Sequence, residues 1–263
     1  MAVFSNAKNY RRDETVPLIV PLVNTSHLSV IPHQRKQHSL DKGFIVTNAN
    51  CSTTGLVVPL AALEQAFGPL KTVVVTTLQA ISGGGYPGVP SLDILDNVVP
   101  HIGGEEEKIE WEAAKILGGV KEDNTGFTYH AENPMVVSAA CNRVAVVDGH
   151  TACVSIKFAG SKPSLEEIKK ALNDFTCEAQ QLGKELVPSA PAQVITVREE
   201  EDRPQPRLDR DAHEGAGVSV GRIRDCPVLD YKFVCLVHNT FLGAATSSVI
   251  NAEVAVAKGV IKV

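Results

Sequence analysis

Phe44-Ile45-Val46-Thr47-Asn48-Ala49-Asn50-Cys51-Ser52-Thr53-Thr54-Gly55-Leu56 changes its hydrophobic rhythm partway along. Phe44–Thr47 is a short β-branched run, which predicts a buried strand. From Leu56 the apolar positions recur at helical spacing, through Leu60, Leu63 and Phe67, and Gly68-Pro69 ends the run. A strand running directly into a helix is one half of a parallel-sheet unit. Upstream, Leu18–Val20 reads as another buried strand, and downstream Thr72–Leu78 reads as a core strand. The front of the chain is therefore α/β.

Further along, Ser82–Pro90 is a Gly/Pro-rich loop, and Glu105–Leu117 carries Ile109, Ala113, Ile116 and Leu117 on one helical face. Thr151–Phe158 alternates polar and apolar residues, as a half-buried strand does. Ser164 and Glu167 have capping-box spacing ahead of Ile168, Leu172 and Phe175. Gln193–Val197 and Leu229–Val237 read as strands, with the charged, Gly-rich stretch Glu199–Gly217 as a surface excursion between them. Ala-rich sequence from Gly243, with Val249, Ala252, Val256 and Ala257, predicts a packed terminal helix. Hairpin-like strands mixed with helices make the middle α+β.

The chain has 263 residues, 44% hydrophobic, with a formal net charge of −5. That is enough to bury a core of one large or two modest domains. No dense basic run marks a nucleic-acid surface, since Arg203–Arg210 is interrupted by Asp209 and followed by Asp211. The apolar stretches are short and broken by Pro, which argues against a membrane span. Six scattered cysteines without a C-x-x-C pair read as reduced thiols, with no metal site expected. No targeting segment is evident at Met1-Ala-Val-Phe-Ser5, and the cytosol is the expected compartment.

Among the cysteines, Cys51 stands where a strand ends and a helix begins. Backbone N–H groups at a helix mouth favour a thiolate and can hold an oxyanion. A small buried residue at a helix start, with Ser52 or Thr53 as the cap, accounts for it equally well. Cys153 and Cys235 fall inside expected strands and read as core packing. His150, after Asp148-Gly149, could move protons, and Arg143 could clamp a carboxylate. Taken singly, a satisfied turn histidine and a surface arginine explain both.

The motifs gain force in their order. Ser5-Asn-Ala-Lys-Asn-Tyr-Arg11, Val16-Pro-Leu-Ile-Val-Pro-Leu-Val-Asn24 and Asn50-Cys51-Ser-Thr-Thr-Gly55 come first. Leu78-Gln79-Ala-Ile-Ser-Gly-Gly-Gly85, Glu105-Glu-Glu-Lys108, Arg143-Val-Ala-Val-Val-Asp-Gly-His150, Arg203-Pro-Gln-Pro-Arg-Leu-Asp-Arg210 and His238-Asn239-Thr240 follow. This ordered set resembles the aspartate-semialdehyde dehydrogenase family, most closely its fungal and archaeal-type branch.

The resemblance implies NADPH-dependent reduction of L-aspartyl-β-phosphate to L-aspartate β-semialdehyde, on the route to lysine, threonine and methionine. It implies Cys51 as the nucleophile that forms a thioester, His150 as acid/base and Gln79 as the group orienting the acyl carbon. Arg143 would hold the α-carboxylate and Glu105 the α-amino group. Lys108 and Arg11 would bind phosphate, and Asn50 would help position the substrate. Ser82, Gly83, Gly84 and Asn239 would lie against the NADP nicotinamide. The implied architecture is an incomplete Rossmann-like dinucleotide-binding domain joined to a mixed-sheet catalytic and dimerisation domain. Residues 1–50 would be the remnant of the NADP domain, 51–238 the catalytic and dimerisation domain, and 239–263 a helix returning to the cofactor domain. A homodimer or homotetramer is implied, with small-molecule substrates and neither nucleic acid nor membrane as partners.

One departure stands out. The family opens with a strand, a Gly-rich turn and a helix that bind pyrophosphate, and nothing of that kind precedes Ser5. The expectation is a chain truncated at its N-terminus, with apolar surface and a sheet edge exposed and with weak or no NADPH affinity. Two other readings remain: a related acyl reductase, such as a malonyl-CoA or N-acetyl-glutamyl-phosphate reductase, and a non-catalytic truncated subunit. His213 is assigned no catalytic role.

Overall fold

The computed structural model describes residues 1–130 and 135–262. Two sheets organise them. Strands β1 (Ala2–Ser5), β2 (Leu18–Ile19) and β3 (Phe44–Asn48) form a three-stranded parallel sheet in the order β1-β3-β2. Helix α1 (Ile31–Gln37) lies between β2 and β3 in the chain. Helix α2 (Cys51–Phe67) leaves the end of β3 and carries the chain to the second sheet.

That second sheet has seven strands in the order β5-β6-β4-β7-β10-β9-β8. They are β4 (Leu70–Gln79), β5 (Val98–Val99), β6 (Val136–Val144), β7 (His150–Phe158), β8 (Ile195–Arg198), β9 (Val218–Asp225) and β10 (Tyr231–Val237). The central strand β4 pairs parallel with β6 and antiparallel with β7. Helices α3 (Ser91–Ile94), α4 (Glu105–Ile116), α5 (Leu165–Asn173), α6 (Glu178–Gln181), α7 (Pro206–Asp209) and α8 (Thr246–Ala257) complete the chain.

α2, α4 and α5 cover one face of the large sheet. α2 is apolar nearly all round, which is the pattern of a helix buried between layers; Leu56, Val57, Leu60 and Leu63 have at most 1% exposure. At Gly55 a Cβ would lie 2.5 Å from Val237 Cγ1, so the missing side chain lets α2 seat against β10. Ser164 and Glu167 form the expected capping box on α5.

The other face of the large sheet is open. Thr76, Ala140 and Cys153 stand exposed there across neighbouring strands, with Val74 43% and Val136 62% exposed. Cys153 is thus not core packing: its side chain falls on the uncovered side of β7, while Cys235 is buried as expected.

Glu199–Gly217 is the expected surface excursion, exposed at Glu199, Glu200, Glu201, Asp202, Arg207, Leu208, Asp211 and Glu214, and it is anchored by wrapping round buried Asp209. Arg203 Nε donates to Asp209 Oδ2 at 2.7 Å, Arg203 Nη2 to Oδ1, Arg198 Nη2 lies 2.9 Å from Oδ1, and Gln205 N–H donates to Oδ2 at 2.7 Å. The strand expected at Gln193–Val197 runs Ile195–Arg198. The terminal helix opens with a π turn, Phe241–Ala245, before α8. In the small sheet β1 and β2 are the two edge strands, yet Val16–Val20 and Leu22 are buried and β3 nearly so, so the exposure expected of the 18–20 and 44–47 strands is not found; the half-buried strand is β1. Among the described residues, no helix is long and apolar enough to cross a membrane.

Candidate active site

The second sheet brings several singled-out residues to one end. Gln79 closes β4 and sits opposite Arg143 on β6, while His150 begins β7 opposite Val237 at the end of β10. Because β7 runs against its neighbours, its start meets their ends. The N-terminus of α2 arrives at the same end, since Gly55 packs on Val237.

Asn50 starts α2 as its cap. Its Oδ1 accepts from Ser52 N at 2.9 Å and Thr53 N at 3.2 Å, which satisfies two otherwise unpaired donors. Its Nδ2 donates to Glu105 Oε2 at 2.7 Å. Glu105, at the start of α4, also accepts from Lys108 Nζ and from Gln79 Nε2 at 3.4 Å. The Glu105–Lys108 pair is therefore no surface pair: Glu105 is 8% exposed and tied to the nucleophile's helix cap.

One backbone residue holds the other half of the site. Ala80 N–H donates to His150 Nδ1 at 3.0 Å, and Ala80 C=O accepts from Arg143 Nη1 at 2.7 Å. Because Nδ1 accepts, the proton of the neutral ring sits on Nε2. Rotating the ring by half a turn would put a carbon against the Ala80 N–H and orphan it. His150 Nε2 is buried without a partner among the described residues. Burial, then the Arg143 guanidinium and His238, push the imidazole down to about 3, so it is neutral at physiological pH.

Gly83 is where these groups meet. A Cβ there would lie 2.9 Å from Arg143 Nη1 and from His150 Cε1 and Nε2. Gly83 also lines a cleft of about 400 Å³ together with Arg11, Asn50, Cys51, Ser82, Lys108 and Asn239. Arg143 is near enough to Cys51 for its charge to favour the thiolate. The π turn closes the far wall: a Cβ on Gly243 would lie 2.9 Å from Cys51 Cβ.

The Cys51 thiol departs from its expected state. Burial, followed by the Glu105 carboxylate, pushes it up to about 11, against the opposing pull of the Ser52 N–H and Arg143. The helix mouth does not overcome desolvation, and the resting group is a thiol rather than a thiolate.

Of the other expected residues, Asn239 Oδ1 accepts from Gly149 N at 2.8 Å and its Nδ2 donates to Ser82 Oγ at 2.8 Å. It fixes the 82–85 loop to the entrance of β7. Gly84 does not line the cleft; Gly85, Thr240 and Gly243 do. Arg11 is 7% exposed and engaged by Glu112. His213 lies away from the cleft, with its Nε2 2.9 Å from Thr196 Oγ1.

Sequence reading missed Asn6 and Lys8 in the cleft wall, and Glu112 and Lys115 beneath it. The first two lie inside the Ser5–Arg11 stretch quoted above, a signal that was present but unassigned. The last two look like solvent-facing charges on an amphipathic helix.

A family model described as the semialdehyde dehydrogenase dimerisation domain matches residues 60–242. Aspartate-semialdehyde dehydrogenase from Cryptococcus neoformans is 68% identical over 263 residues, covering 100% of this chain and 71% of the relative. The Schizosaccharomyces pombe protein of the same name is 57% identical over 261 residues, covering 98% and 71%. A crystal structure of aspartate-semialdehyde dehydrogenase with NADP from Candida albicans, 52% identical, covers 99% of this chain and 72% of that one, with a TM-score of 0.91. With identity this high across its whole length, and a site assembled from the motifs that first suggested the resemblance, the chain belongs to the aspartate-semialdehyde dehydrogenase family.

Proposed function

We propose that this chain carries out the NADPH-dependent reduction of L-aspartyl-β-phosphate to L-aspartate β-semialdehyde, with Cys51 as the nucleophile. The observation that carries this reading is that Arg143 and His150 meet at Gly83, which lines one cleft together with Cys51.

Arg143 offers a guanidinium for the substrate α-carboxylate, and Glu105 a carboxylate for its ammonium. Gln79 and Asn50 orient the acyl group from below. Lys108 and Arg11 face the phosphoryl group. Attack of the Cys51 sulfur forms the S–C bond and breaks the C–O bond to phosphate, and the thiol proton leaves with the phosphate. His150, neutral and protonated at Nε2, donates to the acyl oxygen as negative charge develops there.

The cleft wall beside Cys51 suits the nicotinamide end of NADP. Ser82, Gly83, Gly85, Asn239, Thr240, Gly243 and Ala244 line it, and small side chains let a flat ring approach the backbone. When bound, NADPH supplies the hydride that turns the acyl group into the aldehyde.

Residues 1–50 and 239–263 belong with the cofactor side in this reading, and 51–238 with catalysis and dimerisation. α8 packs on β1 of the small sheet, in keeping with that division. The open face of the large sheet, within the matched dimerisation region, pairs with a second copy, and the protein works in the cytosol as a homodimer or homotetramer. The test is phosphate-dependent formation of NADPH from NADP and aspartate semialdehyde, the reaction run backwards. Activity that survives Cys51→Ser would refute the assignment.

A further inference from the structure

We propose that Glu112 is a positioning residue for the reaction, holding the phosphate-binding cation and the nucleophile's peptide in one fixed arrangement. The inference rests on the reading of Arg11 as a phosphate ligand.

Glu112 has no exposed surface. Its Oε1 accepts from Arg11 Nη1 at 2.8 Å, and its Oε2 accepts from the Asn50 backbone N at 2.7 Å. One carboxylate thus joins a cation of the cleft wall to the residue directly before Cys51. Arg11 is held from its other side, where Nη2 donates to Asn6 C=O at 2.8 Å.

The spacing on α4 makes this possible. Glu105, Lys108, Glu112 and Lys115 follow one another by three, four and three residues, so all four lie along one helical face. Lys115, also fully buried, donates to the carbonyls of Arg11, Asp13 and Val16 at 2.9, 2.8 and 3.1 Å. The face therefore grips Arg11 twice, the side chain through Glu112 and the backbone through Lys115. It grips the start of α2 twice as well, through Glu105 on Asn50 Nδ2 and Glu112 on Asn50 N.

A buried ion pair that merely stabilised the fold would need no link to Asn50. A carboxylate shared between the phosphate site and the nucleophile's peptide fixes the distance between the leaving group and the attacking sulfur. Such placement acts on binding and rate together.

The test measures alkylation of Cys51 by iodoacetamide, read by peptide mass spectrometry, against rising inorganic phosphate and, separately, aspartate semialdehyde. In the parent chain both compounds protect. Glu112→Gln is expected to keep a cooperative melt, at a lower temperature because one buried donor loses its acceptor, and to leave semialdehyde protection nearly unchanged, while the phosphate concentration for half protection rises about tenfold, the effect of one charge-assisted hydrogen bond. Arg11→Gln should do the same, and the double variant should be no worse than Arg11→Gln alone.

Unchanged phosphate protection in Glu112→Gln would overturn the proposal. So would equal loss of both protections with a collapsed melting temperature, since that is a purely structural role. Should Glu112→Gln not fold, Glu112→Asp is read in the same way, and failure of both to fold also overturns it. If the parent chain is protected by neither compound, the substrate-site reading itself is wrong.

Discussion

Adding one methyl group at Gly83 tests the whole site, because that position touches both the carboxylate clamp and the proton donor. An ideal Cβ there would stand 2.9 Å from Arg143 Nη1, His150 Cε1 and His150 Nε2. Comfortable carbon contacts begin near ~3.5 Å, so something must move by about 0.6 Å. Arg143 cannot swing aside cheaply, since its Nη1 is bonded to Ala80 C=O, and His150 is pinned by Ala80 N–H. Gly83 does not adopt a left-handed backbone, so Ala is conformationally acceptable and the effect is steric. Misplacing catalytic groups by up to about 1 Å costs on the order of 10²-fold in rate, roughly 2.7 kcal/mol of barrier. Overpacking of this kind costs about 1–3 kcal/mol of stability. Phosphate-dependent NADPH formation by Gly83→Ala should therefore fall about a hundredfold while a folded, cooperative melt persists a few degrees lower. A kcat/KM within about threefold of the parent would show that Arg143 and His150 need not hold these positions, and the mechanism drawn from them would fail.

Alkylation of Cys51 in the ligand-free protein should be slow at neutral pH and rise about tenfold per pH unit toward about 11, with exposed Cys153 reacting sooner; a plateau for Cys51 below its ordinary 9.0 would contradict a desolvated thiol. Stability should decline on acidification. His27 is held down to about 4 by burial and His150 to about 3, both below the ordinary 6.5, so the unfolded chain takes up protons first as pH falls. The stability these neutral rings contribute is complete above about 6.5 and is lost toward 4. Urea titrations across that window should show a loss of about 3 kcal/mol from His27 alone, and His27→Gln should remove that share while the His150 share remains. Lys115→Met removes an ammonium bonded to three carbonyls and should cost about 3 kcal/mol in the same urea assay; a loss below about 1 kcal/mol would mean that water replaces those bonds freely.

Much of this was legible in the sequence where one local signal agreed with its surroundings. The strand-to-helix change at Cys51, the stop at Gly68 and the box at Ser164 and Glu167 each use a single mechanism, and each appears. Strands β6 and β9 were not read. Val-Val-Ser-Ala-Ala-Cys-Asn-Arg-Val, residues 136–144, carries small and polar residues where the open face needs no apolar ones, so alternation is faint. β9 contains Gly221, kept small because a Cβ would lie 2.4 Å from Arg203 O, a contact invisible in local sequence. Glu112 and Lys115 look like ordinary solvated charges. Their burial follows from the 11–16 segment crossing α4, a long-range event with no local signature. The two readings of Cys51 stayed level in the sequence for a related reason: a helix mouth can be seen there, but the desolvation that pushes the thiol up cannot.

The grip of Ala80 comes from the two amides that flank it, the N–H of the 79–80 peptide on His150 and the C=O of the 80–81 peptide on Arg143, and its methyl group takes no part. Side-chain replacement at position 80 would report steric bulk alone, since the residue is fully buried. Alanine scanning is blind there by construction. Exchanging the 79–80 peptide for an ester would delete the N–H, leave every side chain and the carbonyl bonded to Arg143 in place, and free the imidazole to exchange its tautomers. The chemistry of this enzyme family would then prove to depend on an atom that no codon change short of proline can remove.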